Sequence, residues 1–472
     1  MRRTEPLDAA FFGLEAPGHP LHAMAVMMLD PATVPGGYSF GQLRRFIASR
    51  LPGIPPLRQR LVPSPLSLAR PGWVDSQVDI RQHVFRHLRT GGSMADVASF
   101  AAGMASIPLD RTKPLWAMHV VEGLQDGRIA VVAKVHHSLM DGVAGMEFMA
   151  SMFSLRPHAG RVVAVDAGAT HAPGPVVTTA LAVPELVTMP VRTARAMGAT
   201  VQAARRLRKA AGQAPLRLPR PPRIRWNGEL GPQRTMAMAS LPLAEVKDLG
   251  RATGCTVNDV VMSVIGGACR SYLLAHGELP TSSLVAVVPV STHDTDGRAH
   301  VANSVSIMLS TLGTDLDDPA QRLFVVHEAM VEAKRLHDAL GAATLAQWLA
   351  VPSPLVMAAV ARAYLGTHLY RYAPRAGNVL VSNVPGPPVP LYFGGARLVG
   401  LYPLGPVYDG VGLNITVVSC TDSLGFGLVS SPAVIDDLGA LAGGMAAELG
   451  ALSQACRASS PVGSAAKVLV AS

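Results

Sequence analysis

His136 and His137 stand side by side, and Asp141 and Gly142 follow the second histidine at four and five residues. These residue types at this spacing suit acid–base chemistry. A neutral imidazole near pH 7 can take a proton from an alcohol and so make its oxygen a nucleophile. Asp141 falls where a helix is expected to begin, so it can cap free backbone N–H groups or pair with a cation that shapes the loop. Gly142 leaves room for a turn or a closely approaching ligand. Two plainer readings stand beside this one. Either histidine can be hydrogen-bonded packing at a strand end, and imidazole with carboxylate is also a common metal-ligand set. Neighbouring residues of a strand point to opposite faces, which works against one ion held by both histidines.

The flanking residues say what must position the pair. Residues 128–135 are apolar and β-branched, as a buried strand requires, and 142–153 carry apolar residues at helical spacing. The pair therefore sits where a strand runs out into a loop before a helix, a common place for sites. Asp126-Gly127 is a hairpin turn signal, so 128–135 is expected to pair with the strand that follows Trp116. Further upstream, a short helix and a turn (6–12, 19–22) precede a first strand at 23–29. An amphipathic helix at 40–51 has Leu43, Phe46, Ile47 and Leu51 on one side. A second helix is expected at 96–106, and His83 reads as structural.

With 472 residues, two or three domains and a large core are possible. Charged residues are 15% and hydrophobic ones 49%, which excludes disorder for most of the length. No uninterrupted apolar run of about 20 residues occurs, so no transmembrane helix is expected. The N-terminus lacks the apolar run of a signal peptide, and a cytoplasmic location is expected. Cys255, Cys269, Cys420 and Cys456 show no metal or redox spacing and read as buried filler in a reducing compartment. A net charge of +9 favours anionic partners: nucleic acid, acidic lipid headgroups or a phosphate-bearing cofactor.

Residues 156–233 change character. Between Glu185 and Glu229 there are ten basic residues and no acidic one. A basic amphipathic helix is expected over 186–211, with Val191, Ala194, Val201 and Leu207 on its apolar side. Such helices favour anionic membrane surfaces. A plain linker is the second reading. Nucleic acid is the weakest, because no aromatic residue interrupts the basic stretch before Trp226.

Beyond 233 the pattern gives strands at 235–241, 284–291, 301–309, 378–387 and 412–419, and a hairpin over 421–429. Helices are expected at 243–250, from Thr256 as N-cap to about 274, at 318–337, within 341–365 and near 435–455. Asn258 and Asp259 fall in the first turn of an apolar helix and need partners there, as caps or as contacts that organise the domain.

His136-His-Ser-Leu-Met-Asp-Gly142 resembles the HHxxxDG motif of the bacterial wax ester synthase/diacylglycerol acyltransferase family, part of the superfamily of chloramphenicol acetyltransferase and condensation domains. Other segments are similar to that family: Pro108-Leu-Asp-Arg-Thr-Lys-Pro-Leu-Trp116, Asn258-Asp259, Ser382-Asn-Val-Pro-Gly-Pro387 and Trp226-Asn-Gly-Glu-Leu-Gly231, where Trp226 replaces a phenylalanine. The family's Gly-Asn pair is Ala302-Asn303 here. The likeness extends over about residues 5–455.

The resemblance implies an α/β (α+β sandwich) fold: two chloramphenicol-acetyltransferase-like halves with mixed sheets, joined by a long helical crossover. The halves would be 1–155 and 234–455, with the crossover at 156–233 and a tail at 456–472. It implies one site per chain, in a tunnel between the halves. There His137 would be the general base that deprotonates diacylglycerol or a long-chain alcohol as it attacks long-chain acyl-CoA, without a covalent acyl-enzyme. His136, Asp141 and Gly142 would support the motif, while Trp116, Asn258, Asp259, Asn303, Asn383 and Asn414 would line the tunnel or organise the halves. No metal or redox cofactor is implied, and acyl-CoA enters as substrate. Contact with an anionic membrane or lipid droplet is expected, nucleic acid is not, and the oligomeric state is open. An acyltransferase with another alcohol acceptor and a catalytically silent lipid-binding homologue are the alternatives.

Overall fold

The computed structural model describes residues 1–15, 18–64, 69–139, 151–157, 174, 183–211, 219–291, 305–340, 356, 359, 363, 367 and 375–459. Asp141, Gly142, Asn303, most of the helices expected at 142–153 and 341–365, and most of the tail lie outside them. The first half runs β1 (Arg2–Arg3), α1 (Pro6–Leu14), β2 (His22–Asp30), α2 (Phe40–Arg50), β3 (Gln59–Val62), β4 (Gly72–Asp75), β5 (Val84–Gly92), α3 (Met94–Ala105), β6 (Trp116–Leu124) and β7 (Ile129–His136). The crossover carries α4 (Val183–Ala211). Then come β8 (Thr235–Pro242), α5 (Leu243–Thr253), α6 (Val257–Ala275), β9 (Val285–Ser291), β10 (Val305–Thr311) and α7 (Pro319–Leu340). The chain closes with β11 (Val379–Val384), β12 (Tyr392–Phe393), β13 (Ala396–Leu404), β14 (Asn414–Cys420), β15 (Ser423–Ser430) and α8 (Leu438–Ser459).

Two six-stranded mixed sheets carry the fold, ordered β12-β13-β2-β7-β6-β5 and β10-β9-β11-β14-β15-β8, with a small sheet β1-β4-β3 at one side. β7 is buried at all eight positions, which matches its unbroken apolar, β-branched run. Its hairpin with β6 turns at Asp126-Gly127, as expected from sequence: Gly127 has φ +70°, and the Asp126 carboxylate accepts from the Arg128 N–H at 3.1 Å. α3 begins two residues earlier than expected, because Ser93 and Asp96 form a reciprocal capping box.

Residues 392–404, expected within the second half, complete the first sheet instead. β13 pairs antiparallel with β2 from Arg397 opposite Asp30 to Leu404 opposite Met24. The second sheet packs against β13 through glycines of its interior strand β15. A Cβ at Gly425 would lie 1.9 Å from the Leu401 carbonyl oxygen, and one at Gly427 would lie 1.8 Å from that of Pro403. Only a hydrogen lets these backbones touch. The core is correspondingly shared: Met24, Val26 and Val132 of the first sheet belong to the same buried cluster as Val246, Val260 and Phe426. On the sheet's other face, Val131, Trp116 and Phe393 pack with Leu43, Phe46 and Ile47 of α2.

α4 lies against α7 and buries only small residues, Ala196 and Ala203. Val187, Val191, Met197 and Val201 on its other side are each at least half exposed, at 70%, 51%, 58% and 50%. Ala194 is exposed with them, and the Leu207 side chain lies outside the described ones. Among the described residues no helix is long and apolar enough to cross a membrane.

Candidate active site

β7 delivers the histidine pair to its C-terminal end, where residues His137–Leu139 form a single 3-10 turn. The two backbone N–H groups go opposite ways: His136 donates to the Leu115 carbonyl at 3.0 Å and His137 to that of Leu21 at 2.9 Å. The loop is thereby pinned to the strands on either side. His136 is fully buried and His137 half-buried, as expected where a buried strand emerges.

Helix α1 supplies the walls. Phe12 stacks on the His136 ring, with centroids 4.3 Å apart, and Phe11 lies 4.5 Å from the His137 ring at a tilt of 31°. Sequence reasoning assigned most of this segment to ordinary packing; α1 instead packs against the histidine turn itself.

Glu15, at the C-terminal cap of α1, is a site residue that sequence reasoning missed. Its Oε1 accepts the Leu21 N–H at 3.2 Å and lies 3.6 Å from His136 Nε2 and 3.9 Å from His22 Nε2. Its Oε2 accepts from Arg111. Beyond 3.5 Å the two imidazole contacts are electrostatic rather than close hydrogen bonds. Burial alone would raise the Glu15 carboxyl, but His136 and Arg111 outweigh it and bring it down to about 2. Glu15 therefore stays a carboxylate.

On the far side of the His136 ring, Nδ1 accepts the Ser138 N–H at 3.2 Å and lies 2.7 Å from the Ser138 hydroxyl. With Nδ1 as the acceptor, Nε2 is the nitrogen that carries a proton, toward Glu15. His22 faces His136 directly across β2 and β7. Burial, with the charge of Lys134, brings His22 down to about 3, so it is neutral. Lys134, buried on β7, donates to the Met104 and Ile107 carbonyls at the C-terminal end of α3. Its burial lowers it to about 8.

The segment that anchors His137 is tied to the second half. His19 Nε2 lies 3.3 Å from the Asp409 carboxylate, which accepts the Leu230 N–H at 2.8 Å, and Arg234 donates to the Gly18 carbonyl at 2.7 Å. A cavity of about 520 Å³ opens beside Asp409 and Asn227, with Arg223, Arg225 and Arg375 in its wall. None of its described lining residues is a motif histidine.

The other residues singled out by sequence fall elsewhere. Trp116 points to the α2 side of the first sheet, where its indole N–H donates to the Leu57 carbonyl at 2.7 Å and its ring stacks on His83. It does not meet the motif histidines. Asn258 and Asn383 are brought together, the amide of Asn383 donating to the Asn258 oxygen at 3.2 Å, which joins α6 to β11. Asp259 completes a capping box with Thr256 and lies 2.8 Å from His327 Nδ1. Donor atoms of Cys255, Asp259 and His327 lie within 4.8 Å of one another, and this capping role accounts for the carboxylate among them. Asn414 is buried, donates to the Pro406 carbonyl at 2.9 Å and accepts from Thr416 at 2.8 Å. Of the four free cysteines, Cys269, Cys420 and Cys456 are buried and Cys255 half-buried.

Two six-stranded mixed sheets, the first completed by β13 from the second half, with a His-His turn at the end of a buried hairpin, define a two-lobed α/β fold. Comparisons narrow the class. The sequence model of the wax ester synthase/diacylglycerol acyltransferase catalytic domain matches residues 5–261, and that of the WS/DGAT C-terminal domain matches residues 301–453. The chain belongs to this family. A Mycobacterium tuberculosis chain assigned as a diacylglycerol O-acyltransferase is 36% identical over 481 residues, spanning 98% of this chain and 92% of its own length. A second from that organism is 37% identical over 444 residues, spanning 90% and 93%. The wax ester synthase/diacylglycerol acyltransferase from Marinobacter aquaeolei superposes with a TM-score of 0.71 at 27% identity, covering 97% of this chain and all of the other. The first condensation domain of the calcium-dependent antibiotic synthetase shares the fold, with a TM-score of 0.55 at 16% identity over 96% of each chain.

Proposed function

We propose that this protein transfers the acyl group of a long-chain acyl-CoA to the hydroxyl of diacylglycerol, forming triacylglycerol, or to a long-chain alcohol, forming a wax ester. The observation that carries the reading is the division of labour between the two histidines. His136 is buried, with Ser138 on one side of its ring and Glu15 on the other, whereas His137 is half-buried at the strand end, its backbone N–H on Leu21 and its ring against Phe11, where it stands nearer to solvent and to an incoming hydroxyl.

In the proposed step, a ring nitrogen of His137 takes the hydroxyl proton as the oxygen attacks the thioester carbonyl. The tetrahedral intermediate collapses with cleavage of the carbon–sulfur bond, and the departing thiolate recovers the proton from His137. The products are the ester and free CoA. His137 handles every proton in this sequence, so the mechanism calls for no metal or redox cofactor. Asp141 and Gly142 would shape the loop that follows. The Asn258–Asn383 contact supports a role for both in holding the second half together.

The acceptors are apolar, and α4 supports delivery at a membrane or lipid-droplet surface. Its exposed valines and Met197 form a stripe beside Arg195 and Arg205, also exposed, in a stretch without acidic residues. Basic amphipathic helices of this kind bind anionic interfaces, each cation adding about 1 kcal/mol.

The test is transfer from radiolabelled palmitoyl-CoA to diacylglycerol and to hexadecanol in parallel, with His137→Ala as control. Label is expected in at least one ester, with the variant reduced by about 10²-fold to 10⁴-fold in kcat. A folded wild type that labels neither acceptor would overturn the lipid-synthase reading.

A further inference from the structure

We propose that Glu15 is a positioning residue for the acyl transfer, holding at once the segment that anchors His137 and the ring of His136. The inference rests on the reading of His137 as base.

Geometry gives Glu15 a direct line to that base. Its Oε1 accepts the Leu21 N–H, and the Leu21 carbonyl accepts the His137 N–H, so one residue separates the carboxylate from the backbone of His137. The same oxygen faces Nε2 of His136, the nitrogen that carries the proton because Ser138 donates to the other. A carboxylate facing Nε2 favours the tautomer that the Ser138 N–H already sets and biases the ring's rotation, the arrangement by which supporting groups orient histidines. Phe11 and Phe12, one turn back on the same helix, flank the two rings. One helix end thus contacts both histidines.

Local stability does not ask for an anion at this position. Glu15 caps the C-terminus of α1, where the helix dipole disfavours negative charge, and the first turn already holds Asp8 at the favourable end. A residue placed against its local preference, half-buried, and turned toward the histidine that precedes the base, marks a functional demand. The demand follows from the chemistry: the histidine pair gains a positive charge when His137 takes the proton, and a fixed carboxylate in this water-poor corner favours that state.

Three chains decide it: wild type, Glu15→Gln, which removes the charge at constant shape, and Glu15→Asp, which keeps it. Each is measured for kcat, KM for palmitoyl-CoA, melting temperature, and the ¹⁵N shifts of His136, assigned by substitution. Glu15→Gln is expected to lose about 10-fold to 100-fold in kcat, the usual range for a supporting group, with KM within about threefold. The ¹⁵N signal of His136 Nε2 is expected to move in that variant as its charged neighbour is lost, while Nδ1 stays the acceptor of the Ser138 N–H. Glu15→Asp is expected to recover part of the rate. Wild-type kcat in Glu15→Gln, equal losses in both variants, or failure of Glu15→Gln to fold would each overturn the proposal. If wild type forms no ester, the acyltransferase reading fails, while the Nε2 shift between wild type and Glu15→Gln still judges whether Glu15 holds His136.

Discussion

Phe12 lies flat on His136, the ring planes 10° from parallel and the centroids 4.3 Å apart. Arg111 sits over the outer face of the same phenyl ring at 5.4 Å and also bonds Glu15, so ring, cation and carboxylate form one block against the buried histidine. This block seats α1 against the histidine turn, a contact that its apolar composition hides.

Replacing Phe12 with leucine should keep the apolar volume and lose the stack. Aromatic pairs contribute about 0.5–1.5 kcal/mol beyond area burial, which corresponds to a fall of about 2-fold to 10-fold in kcat if His136 must be held still. Steady-state kinetics on the variant checks this, and an unchanged kcat would show that the stack only fills space.

Gly427→Ala should destabilise the fold, because its Cβ would lie 1.8 Å from the Pro403 carbonyl oxygen and β13 would have to move. Overpacking of this kind costs about 1–3 kcal/mol. Gly443→Ala is the counterpart: it lies exposed within α8 with nothing within 4 Å of the added carbon, and it should stabilise by about 0.4–1 kcal/mol. Urea unfolding of the two variants should move in opposite directions.

Acid should weaken the first half in two stages. Burial, with Lys134, brings His22 down to about 3, and burial, with His87 at 3.1 Å, brings His119 down to about 4, both from an ordinary 6.5. Between those values the unfolded chain binds more protons than the folded one. Their contribution is therefore present above pH 6.5 and lost as pH falls toward 4 and 3. Glu15 adds a second loss between 4.5 and about 2. Melting temperatures measured from pH 8 downward should fall from about 6.5. His119→Phe, which preserves the stack on Phe85, should flatten the first stage.

Charge placed on the α4 stripe should repel a membrane without touching the core. Val187→Glu with Val201→Glu, both exposed, is expected to weaken binding to phosphatidylglycerol vesicles by about 10-fold or more, with the melting temperature unchanged. Added salt should weaken wild-type binding as well. Equal binding of variant and wild type would remove α4 from the membrane face.

Where partners lie close in sequence, the fold was legible. The β6–β7 hairpin, the Thr256 cap and the exposed apolar side of α4 each follow from a pattern within about twenty residues. Glu15 was not legible, because one glutamate after an apolar helix carries no periodic signal; its only mark was an acid at the helix end that disfavours it. Nor was β13, whose partner strand lies some 370 residues earlier and leaves no local trace. Trp116 shows what a motif match leaves open, since the sequence named the residue but not that its indole is buried on the α2 side of the first sheet with its N–H on the Leu57 carbonyl.

The exchange of β13 has a consequence for how the molecule comes into being. β2 and β7 emerge from the ribosome early, and β7 carries the histidine pair, yet β2's outer edge stays open until residues 396–404 have been made. During that interval the nascent chain displays an unpaired apolar edge, the kind that invites wrong partners. Separately expressed halves would inherit the same exposed edge. The histidine turn and the last third of the polypeptide are thus bound to mature together.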